Sequence, residues 1–316
     1  MSPPDPAAAP SPPIPVTVIG GYLGAGKTTL VNRLLAGDHG LRLAVLVNDF
    51  GAVNIDAGLI AAHEGDTISL QNGCVCCAMT GDLTEALTTL AARRPRPEHI
   101  VVEAIGVADP ARIALYAYGW PELRLDGVLT LADAETVRAR AGDKFVGSTV
   151  RRQLAGADLL VANKCDLLAE DALPALRDWL HAAAPEARMI ATSQADLPWS
   201  LVLGLGAGET TPPASRPELE AADTLFESLI WRPKDALARD DLSAMLTALP
   251  DAVYRVKGWL ALRERPGGLT LVQAVGRRID IADDRPPEPE RSPGLLLIHR
   301  RDDNVRRQVE AVLETI

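Results

Sequence analysis

A glycine-rich loop lies between a strand pattern and a helix pattern near the start of the chain. The run VTVIG (16–20) is apolar and β-branched, which predicts a buried strand. The run GYLGAGKT (21–28) fits the pattern G-x-x-x-x-G-K-[ST], and LVNRLLAG (30–37) then shows apolar residues at helical spacing and ends at a glycine. This order of strand, loop and helix is the context of a phosphate-binding loop, so the fold has to be built around one.

Continuous apolar runs alternate with helical patterns as far as residue 194. Asp82 is a candidate N-cap for a helix that continues to residue 93. Further buried strands are predicted over 41–49, 99–106, 126–134, 157–167 and 187–194. Apolar strands that alternate with helices predict an α/β fold with a mostly parallel sheet and helices on both of its faces.

The pattern changes after a proline-rich segment without apolar periodicity, which we interpret as a linker (209–222). Beyond it, strands are predicted over 253–264, 267–281 and 294–301, and helices over 242–249 and 304–316. We therefore predict a disordered Pro/Ala/Ser-rich tail (1–13), an α/β domain (14–208), the linker, and a smaller α+β domain (223–316).

The overall charge disfavours nucleic-acid binding as the general function, although it leaves room for a local basic site. The 316 residues carry a formal net charge of −10, and nucleic-acid binding needs a basic face. No run approaches the 18 apolar residues of a membrane-spanning helix, so we expect no membrane partner. The N-terminus lacks the basic and apolar regions of a secretory signal, which predicts a cytoplasmic location and reduced cysteines.

The loop residues have defined tasks in phosphate binding. Glycines let backbone N–H groups turn toward phosphate oxygens, Lys27 reaches the β- and γ-phosphates, and the Thr28 hydroxyl can bind Mg²⁺. The predicted phosphate-binding residues are Gly21, Gly24, Ala25, Gly26, Lys27, Thr28 and Thr29.

The run NKCD (163–166) indicates which base is bound. It lies at the carboxyl end of a predicted strand, where ligands bind in open α/β sheets. A carboxylate at Asp166 can accept hydrogen bonds from the N1–H and N2–H₂ groups of guanine, whereas adenine has no such donor pair. Asn163 and Lys164 would hold the loop and cover the base, and Cys165 is interpreted as a spacer.

Acidic residues follow two other predicted strands. Glu103 ends the run HIVVE and is placed to hold Mg²⁺ through water or to orient the attacking water, and Gly106 would let the backbone approach the γ-phosphate. Asp49 and Asp56 lie where a nucleotide-sensing segment would sit. The predicted catalytic residues are Lys27, Asp49 and Glu103.

Three of the four cysteines lie within four positions, at Cys74, Cys76 and Cys77. Three thiolates at this C-x-C-C spacing can converge on one metal ion such as Zn²⁺. The alternatives are a redox pair of Cys74 and Cys77, buried small side chains, and, least favoured in the cytoplasm, a disulfide. His63 and Glu64 lie just upstream and are candidates for a fourth ligand.

The runs GYLGAGKTTL, NDFGAVNID, NGCVCC, VVEAIGVADP and NKCDL occur in the order found in the CobW family of metal-handling P-loop GTPases, which the chain resembles over most of its length. VKGWLAL and LVQAVGRRIDI resemble the CobW C-terminal domain. The resemblance implies slow GTP hydrolysis coupled to the delivery of a transition metal. It also implies that Cys74, Cys76 and Cys77 bind that metal.

The chain departs from many of its relatives at several positions. Asp49 stands where relatives have Glu, and Ala52 replaces a further carboxylate. Ala104 and Ile105 stand where relatives have Ser or Thr after the strand-end Glu. Its five histidines are scattered, so the His-rich stretch of many relatives is absent from the sequence.

We therefore predict a GTP-hydrolysing metallochaperone that uses Mg²⁺, binds Zn²⁺, with Co²⁺ as the other candidate, and hands the metal to a client metalloprotein. A regulatory GTPase with a structural zinc site is the alternative, because a closed four-coordinate site would not respond to nucleotide. A small-molecule kinase would use the same loop, and NKCD argues against it.

Overall fold

The computed structural model describes residues 12–37, 39–48, 67–70, 80–169, 171–204, 225–282 and 293–316. Seven strands form the first sheet, in the order β3-β2-β4-β1-β5-β6-β7, and every neighbouring pair in it is parallel. The strands are β1 (Ile14–Gly21), β2 (Leu43–Asn48), β3 (Thr67–Leu70), β4 (His99–Glu103), β5 (Leu123–Asp133), β6 (Leu159–Asn163) and β7 (Arg188–Ala191). The predicted α/β class with a mostly parallel sheet is confirmed.

Helices cover both faces of this sheet, because parallel strands are apolar on both sides. They are α1 (Lys27–Ala36), α2 (Thr80–Ala92), α3 (Pro110–Tyr118), α4 (Val137–Gly142), α5 (Gly147–Ala155), α6 (Ala172–Ala183) and α7 (Trp199–Leu203). Leu30 of α1 and Leu201 of α7 pack with Val101 on one face. Leu87 of α2 and Ile113 of α3 pack with residues such as Ile100 on the other.

The second sheet is smaller and antiparallel, in the order β11-β10-β9-β12-β8. Its strands are β8 (Phe226–Trp231), β9 (Val253–Ala261), β10 (Leu269–Val275), β11 (Arg278–Ala282) and β12 (Gly294–Arg300), and its helices are α8 (Arg239–Ala248) and α9 (Asp303–Leu313). Leu242 of α8 and Val309 of α9 pack with Val256 on one face of the sheet. This is the predicted α+β unit. Among the described residues, no helix is long and apolar enough to cross a membrane.

Three details differ from the sequence-based expectations. The run 267–281, expected as one strand, is a hairpin of β10 and β11 that turns at Gly276, where φ is 58°. α2 begins at Thr80, so Asp82 lies inside the helix and is not its N-cap. β3 and β8 were not expected: β3 has only four residues, and β8 is an edge strand whose sequence, FESLIW, does not alternate between apolar and polar residues.

The two sheets meet at the amino-terminal edge of the parallel sheet, around the buried carboxylate of Asp126. Arg255 of β9 forms an ion pair with it, and the Lys257 ammonium lies 3.7 Å away. The Nε2 atom of His99 lies 3.8 Å from the carboxylate and 2.8 Å from the Thr17 hydroxyl. Burial alone would raise the pKa of Asp126, but the two cations outweigh burial and hold that pKa well below its usual range. Burial lowers the pKa of His99 to about 3, so its imidazole is neutral at pH 7.

Further contacts extend the same junction. Arg278 donates to Asp158 at 2.9 Å, and Arg124 donates to Asp280 at 2.7 Å. Gly276 lies so close to the Asp158 carbonyl that a Cβ atom at this position would overlap it. The second sheet is therefore held against the end of the parallel sheet that lies opposite the phosphate-binding loop.

Candidate nucleotide-binding site

The phosphate-binding loop joins the carboxyl end of β1 to the first turn of α1. Gly24 and Gly26 have φ of 79° and 103°, a region that costs a residue with a Cβ atom about 1 kcal/mol or more. Gly26 has a second constraint, because a Cβ atom there would overlap the Asn163 side-chain amide. The glycine pattern is thus explained by both backbone conformation and close packing.

Lys27 and Thr28 are in the first turn of α1. The Lys27 side chain is buried, and its ammonium lies 3.5 Å from the Tyr22 carbonyl of the loop. The Thr28 hydroxyl donates a hydrogen bond of 3.0 Å to Oε1 of Glu103. Thr29 is exposed at the same helix end.

Glu103 is the last residue of β4, which lies between β1 and β2 in the sheet. Its side chain is only 4% exposed. Its contact with Thr28 brings a hydroxyl and a carboxylate oxygen together beside the loop. Hard oxygen ligands of this kind suit Mg²⁺, so the two residues fit the metal that the sequence predicts here.

The segment after Glu103 packs directly against the phosphate-binding loop. A Cβ atom at Gly106 would lie 2.9 Å from the backbone nitrogen of Leu23. The Gln153 side chain of α5 donates from Nε2 to the carbonyls of Gly106, at 3.0 Å, and Ala108, at 2.7 Å. Gln153 was not among the predicted residues, because its role depends on a contact between segments distant in sequence.

Asn163 ties the phosphate-binding loop to the base-recognition region. Its Nδ2 donates to the Ala25 carbonyl at 2.9 Å, and its Oδ1 accepts from the Ala195 N–H at 2.7 Å. The residue is 2% exposed and ends β6. Both ends of its amide are therefore used to hold the two loops at a fixed separation.

The rest of NKCD forms a short 3₁₀ turn at the carboxyl end of β6. Lys164 adopts φ of 64°, and its ammonium lies 2.6 Å from Oδ2 of Asp133. The Asp166 carboxylate is exposed, and its backbone N–H donates to the Ser193 hydroxyl at 3.1 Å. Cys165 packs on the apolar core below, and burial raises the pKa of its thiol, which suits the predicted spacer role.

A second loop completes this region, and the sequence reasoning missed it. Residues 192–194 were expected to end a strand, but β7 stops at Ala191 and the chain turns, with Gln194 and Ala195 at φ of 53° and 54°. The Thr192 hydroxyl donates to the Asp196 carbonyl at 2.7 Å and stabilises the turn. The signal in the sequence was the polar run TSQ directly after an apolar strand.

The structure brings most of the predicted nucleotide-binding residues to one edge of the parallel sheet. Asp49, Asp56, His63, Glu64 and the three clustered cysteines lie outside the described residues. Within the described ranges, no group of three or more His, Cys, Asp or Glu side chains is arranged to hold a metal ion. Cys74, Cys76 and Cys77 therefore stay predicted metal ligands.

Comparisons with known proteins show the family to which the chain belongs. Residues 15–191 match the family described as CobW/HypB/UreG, nucleotide-binding domain, and residues 226–315 match the cobalamin synthesis protein cobW C-terminal domain. The zinc chaperone CobW of Sinorhizobium sp. is 33% identical over 314 residues, which cover 86% of this chain and 88% of that protein. The zinc chaperone CobW of Pseudomonas aeruginosa is 32% identical over 313 residues, which cover 86% of this chain and 83% of that protein.

Solved structures give a weaker match. The zinc-bound YjiA GTPase from Escherichia coli is 24% identical and has a TM-score of 0.46, with 95% of this chain and 99% of that chain covered. A similarity at this level carries no argument about this chain.

Proposed function

The chain belongs to the CobW family, and from that premise we propose that it is a GTP-hydrolysing metallochaperone. It binds a transition metal, zinc first and cobalt second, and delivers it to a client metalloprotein. The matched domain covers residues 15–191, and the relatives at 33% and 32% identity are named zinc chaperones.

One observation carries the nucleotide part of this proposal. Asn163 is bonded at once to the phosphate-binding loop and to the loop beside Asp166, so the phosphate and base regions form one site. Asp166 is exposed beside it and accepts the two guanine donors that adenine lacks. Guanine nucleotides are therefore the preferred ligands.

Several residues around the loop bind the phosphates and the Mg²⁺ ion. Lys27 places its ammonium at the β- and γ-phosphates, and the helix N-terminus favours their negative charge. Thr28 and Glu103 would hold Mg²⁺, because their hydroxyl and carboxylate oxygens lie together beside the loop. When bound, the ion neutralises charge that develops on the phosphate oxygens.

The metal part of the proposal rests on the cysteines and on the relatives. Thiolates are strong ligands for Zn²⁺, and Cys74, Cys76 and Cys77 supply three of the four that a tetrahedral ion takes. These residues follow β2 and β3 in the chain, and β2 pairs with β4, where Glu103 lies. Binding of the γ-phosphate beside Glu103 would therefore change the affinity for the metal, and the metal would change the affinity for the nucleotide.

The second domain is the candidate for client recognition. It matches a family domain of its own over residues 226–315 and lies at the far end of the parallel sheet from the nucleotide. A client bound there would not obstruct the phosphate-binding loop.

The cytoplasmic location of the protein stays a prediction.

A competition titration tests the proposal. Zinc and cobalt affinities are measured for the nucleotide-free, GDP-bound and non-hydrolysable-GTP-bound protein, and for the triple variant Cys74→Ser/Cys76→Ser/Cys77→Ser. Cys165→Ser is the matched control, because this thiol packs on an apolar core and is not one of the predicted metal ligands. We expect the metal affinity to depend on the nucleotide, to fall in the triple variant, and to be unchanged in the control.

The same titration separates the chaperone from its alternative. Affinity that is equal in all nucleotide states would mean that the zinc is structural and that the protein is a regulatory GTPase. Affinity that survives the triple variant would mean that the metal binds elsewhere.

A further inference from the structure

Asp133 and Lys164 form an ion pair at the carboxyl edge of the parallel sheet. Asp133 ends β5 and pairs in register with Asn163, the last residue of the neighbouring β6. Lys164 follows directly and reaches back across the two strand ends, so that its ammonium lies 2.6 Å from Oδ2 of Asp133. The pair is only partly exposed, with 35% of the lysine and 14% of the aspartate side chain accessible.

Other contacts hold Asp133 in place. Its Oδ1 accepts from the backbone N–H groups of Glu135, at 3.1 Å, and Thr136, at 3.2 Å. The two carboxylate oxygens are thus divided between a backbone turn and Lys164. Burial alone would raise the pKa of Asp133, but these hydrogen bonds, with that from Lys164 first among them, lower it, so the carboxylate stays ionised.

The main chain of Lys164 is held as firmly as its tip. The residue adopts the left-handed region, with φ of 64°, which residues other than glycine adopt only where the surrounding structure holds them there. The next residue, Cys165, donates its N–H to Thr192 of the second loop at 3.1 Å. Because its backbone and its ammonium are both held, the apolar stem of Lys164 spans from the end of β6 to the end of β5.

We propose that Asp133 is a positioning residue for guanine binding, which acts by holding the Lys164 stem as a fixed surface against the face of the base. This rests on the proposed function, because the base lies there only if the protein binds guanine nucleotides through Asp166. A free lysine would have to give up rotamer freedom when the nucleotide binds, and this loss of entropy would weaken binding. Asp133 removes part of that cost before binding.

The test measures GDP and ADP affinities of the full chain by isothermal titration calorimetry. Asp133→Asn and Asp133→Ser keep an oxygen for the backbone turn and lose the negative charge that holds Lys164. Lys164→Met keeps an apolar stem and loses the ammonium, and the double variant Asp133→Asn/Lys164→Met completes the cycle. Asp143→Asn is the matched control, because Asp143 accepts the same pair of backbone hydrogen bonds, from Phe145 and Val146.

We expect Asp133→Asn and Asp133→Ser to weaken GDP binding about tenfold, the equivalent of about 1.4 kcal/mol, and to leave the weak ADP binding unchanged. Asp143→Asn should bind GDP as the wild type does. The double variant should bind GDP no more weakly than Lys164→Met alone, because Asp133 acts through that lysine.

Two results would overturn the inference about Asp133 while leaving the proposed function intact. One is a wild type that prefers GDP while both Asp133 variants bind GDP equally well. The other is a Lys164→Met variant that loses no GDP affinity, which decides the matter even if the Asp133 variants fold poorly. A wild type that binds ADP as well as GDP would instead overturn the proposed function, and the inference with it.

Discussion

The neutral imidazole of His99 makes the stability of the protein sensitive to mild acid. His99 is 1% exposed, and the negative charge of Asp126 beside it is already matched by Arg255 and Lys257. A proton added to His99 would therefore place an uncompensated charge in the junction. Burial first, and then the two cations beside it, lower the pKa of His99 in the folded protein to about 3 from its usual value of 6.5.

The size of the effect follows from these two values. Above pH 6.5 the imidazole is neutral in both states and contributes nothing to the pH dependence. Below pH 6.5 the unfolded chain binds a proton that the folded protein cannot bind until about pH 3, so stability falls as the pH is lowered through this window. At pH 5 the loss relative to pH 7 amounts to about 2 kcal/mol.

Urea denaturation at pH 7, 6 and 5 measures this loss directly. Between pH 7 and pH 5 the free energy of unfolding of the wild type should fall by about 2 kcal/mol more than that of His99→Gln, in which the buried imidazole at position 99 is absent. His181→Gln is the control, because His181 is exposed and should leave the wild-type profile unchanged. If His99→Gln lost as much stability as the wild type over this range, the argument from burial would be refuted.

Three further substitutions test other contacts. Asp126→Asn should lower the free energy of unfolding by about 3–5 kcal/mol, because it leaves Arg255 buried without its counter-ion. Glu227→Gln, which breaks an exposed ion pair with Arg306, should lower it by at most about 1 kcal/mol. Urea denaturation measures both losses, and equal losses would contradict the role of burial. Asn163→Ala should cost about 2–3 kcal/mol and weaken GDP binding in calorimetry, because it removes two buried hydrogen bonds; unchanged GDP affinity would contradict the bridging role. Gln153→Leu should speed amide hydrogen exchange over residues 104–109, measured by mass spectrometry, and protection at wild-type rates would show that its two bonds do not hold that segment.

The sequence predicts the parts of the fold that depend on short stretches of chain. The phosphate-binding loop is recognisable because its glycines, Lys27 and Thr28 are adjacent in sequence and lie between a strand and a helix. The long apolar strands are recognisable for a similar reason. The four-residue β3 and the edge strand β8 carry too little periodicity to be identified in this way.

The contacts that complete the site depend on the topology of the sheet, which no local pattern contains. Asp133 meets Lys164 because β5 and β6 are neighbours, and Gln153 meets Gly106 because α5 lies over the end of β4. The position of Ala195 beside Asn163 likewise depends on where β7 ends. Such pairs are separated by 31 to 47 residues in sequence, so a single sequence gives no sign of them.

The length of β4 limits which changes of sequence this protein can accept. The first of its five residues, His99, lies at the junction between the two sheets, and the last, Glu103, lies at the phosphate-binding loop. The two are about 13 Å apart at the usual rise of a strand. Because side chains alternate along a strand, these two residues lie on the same face of the sheet. Insertion or deletion of a single residue would move one of them to the opposite face, so either Thr17 would lose its contact with His99 or Thr28 would lose its contact with Glu103. The strand can therefore accept changes of side chain far more readily than changes of length.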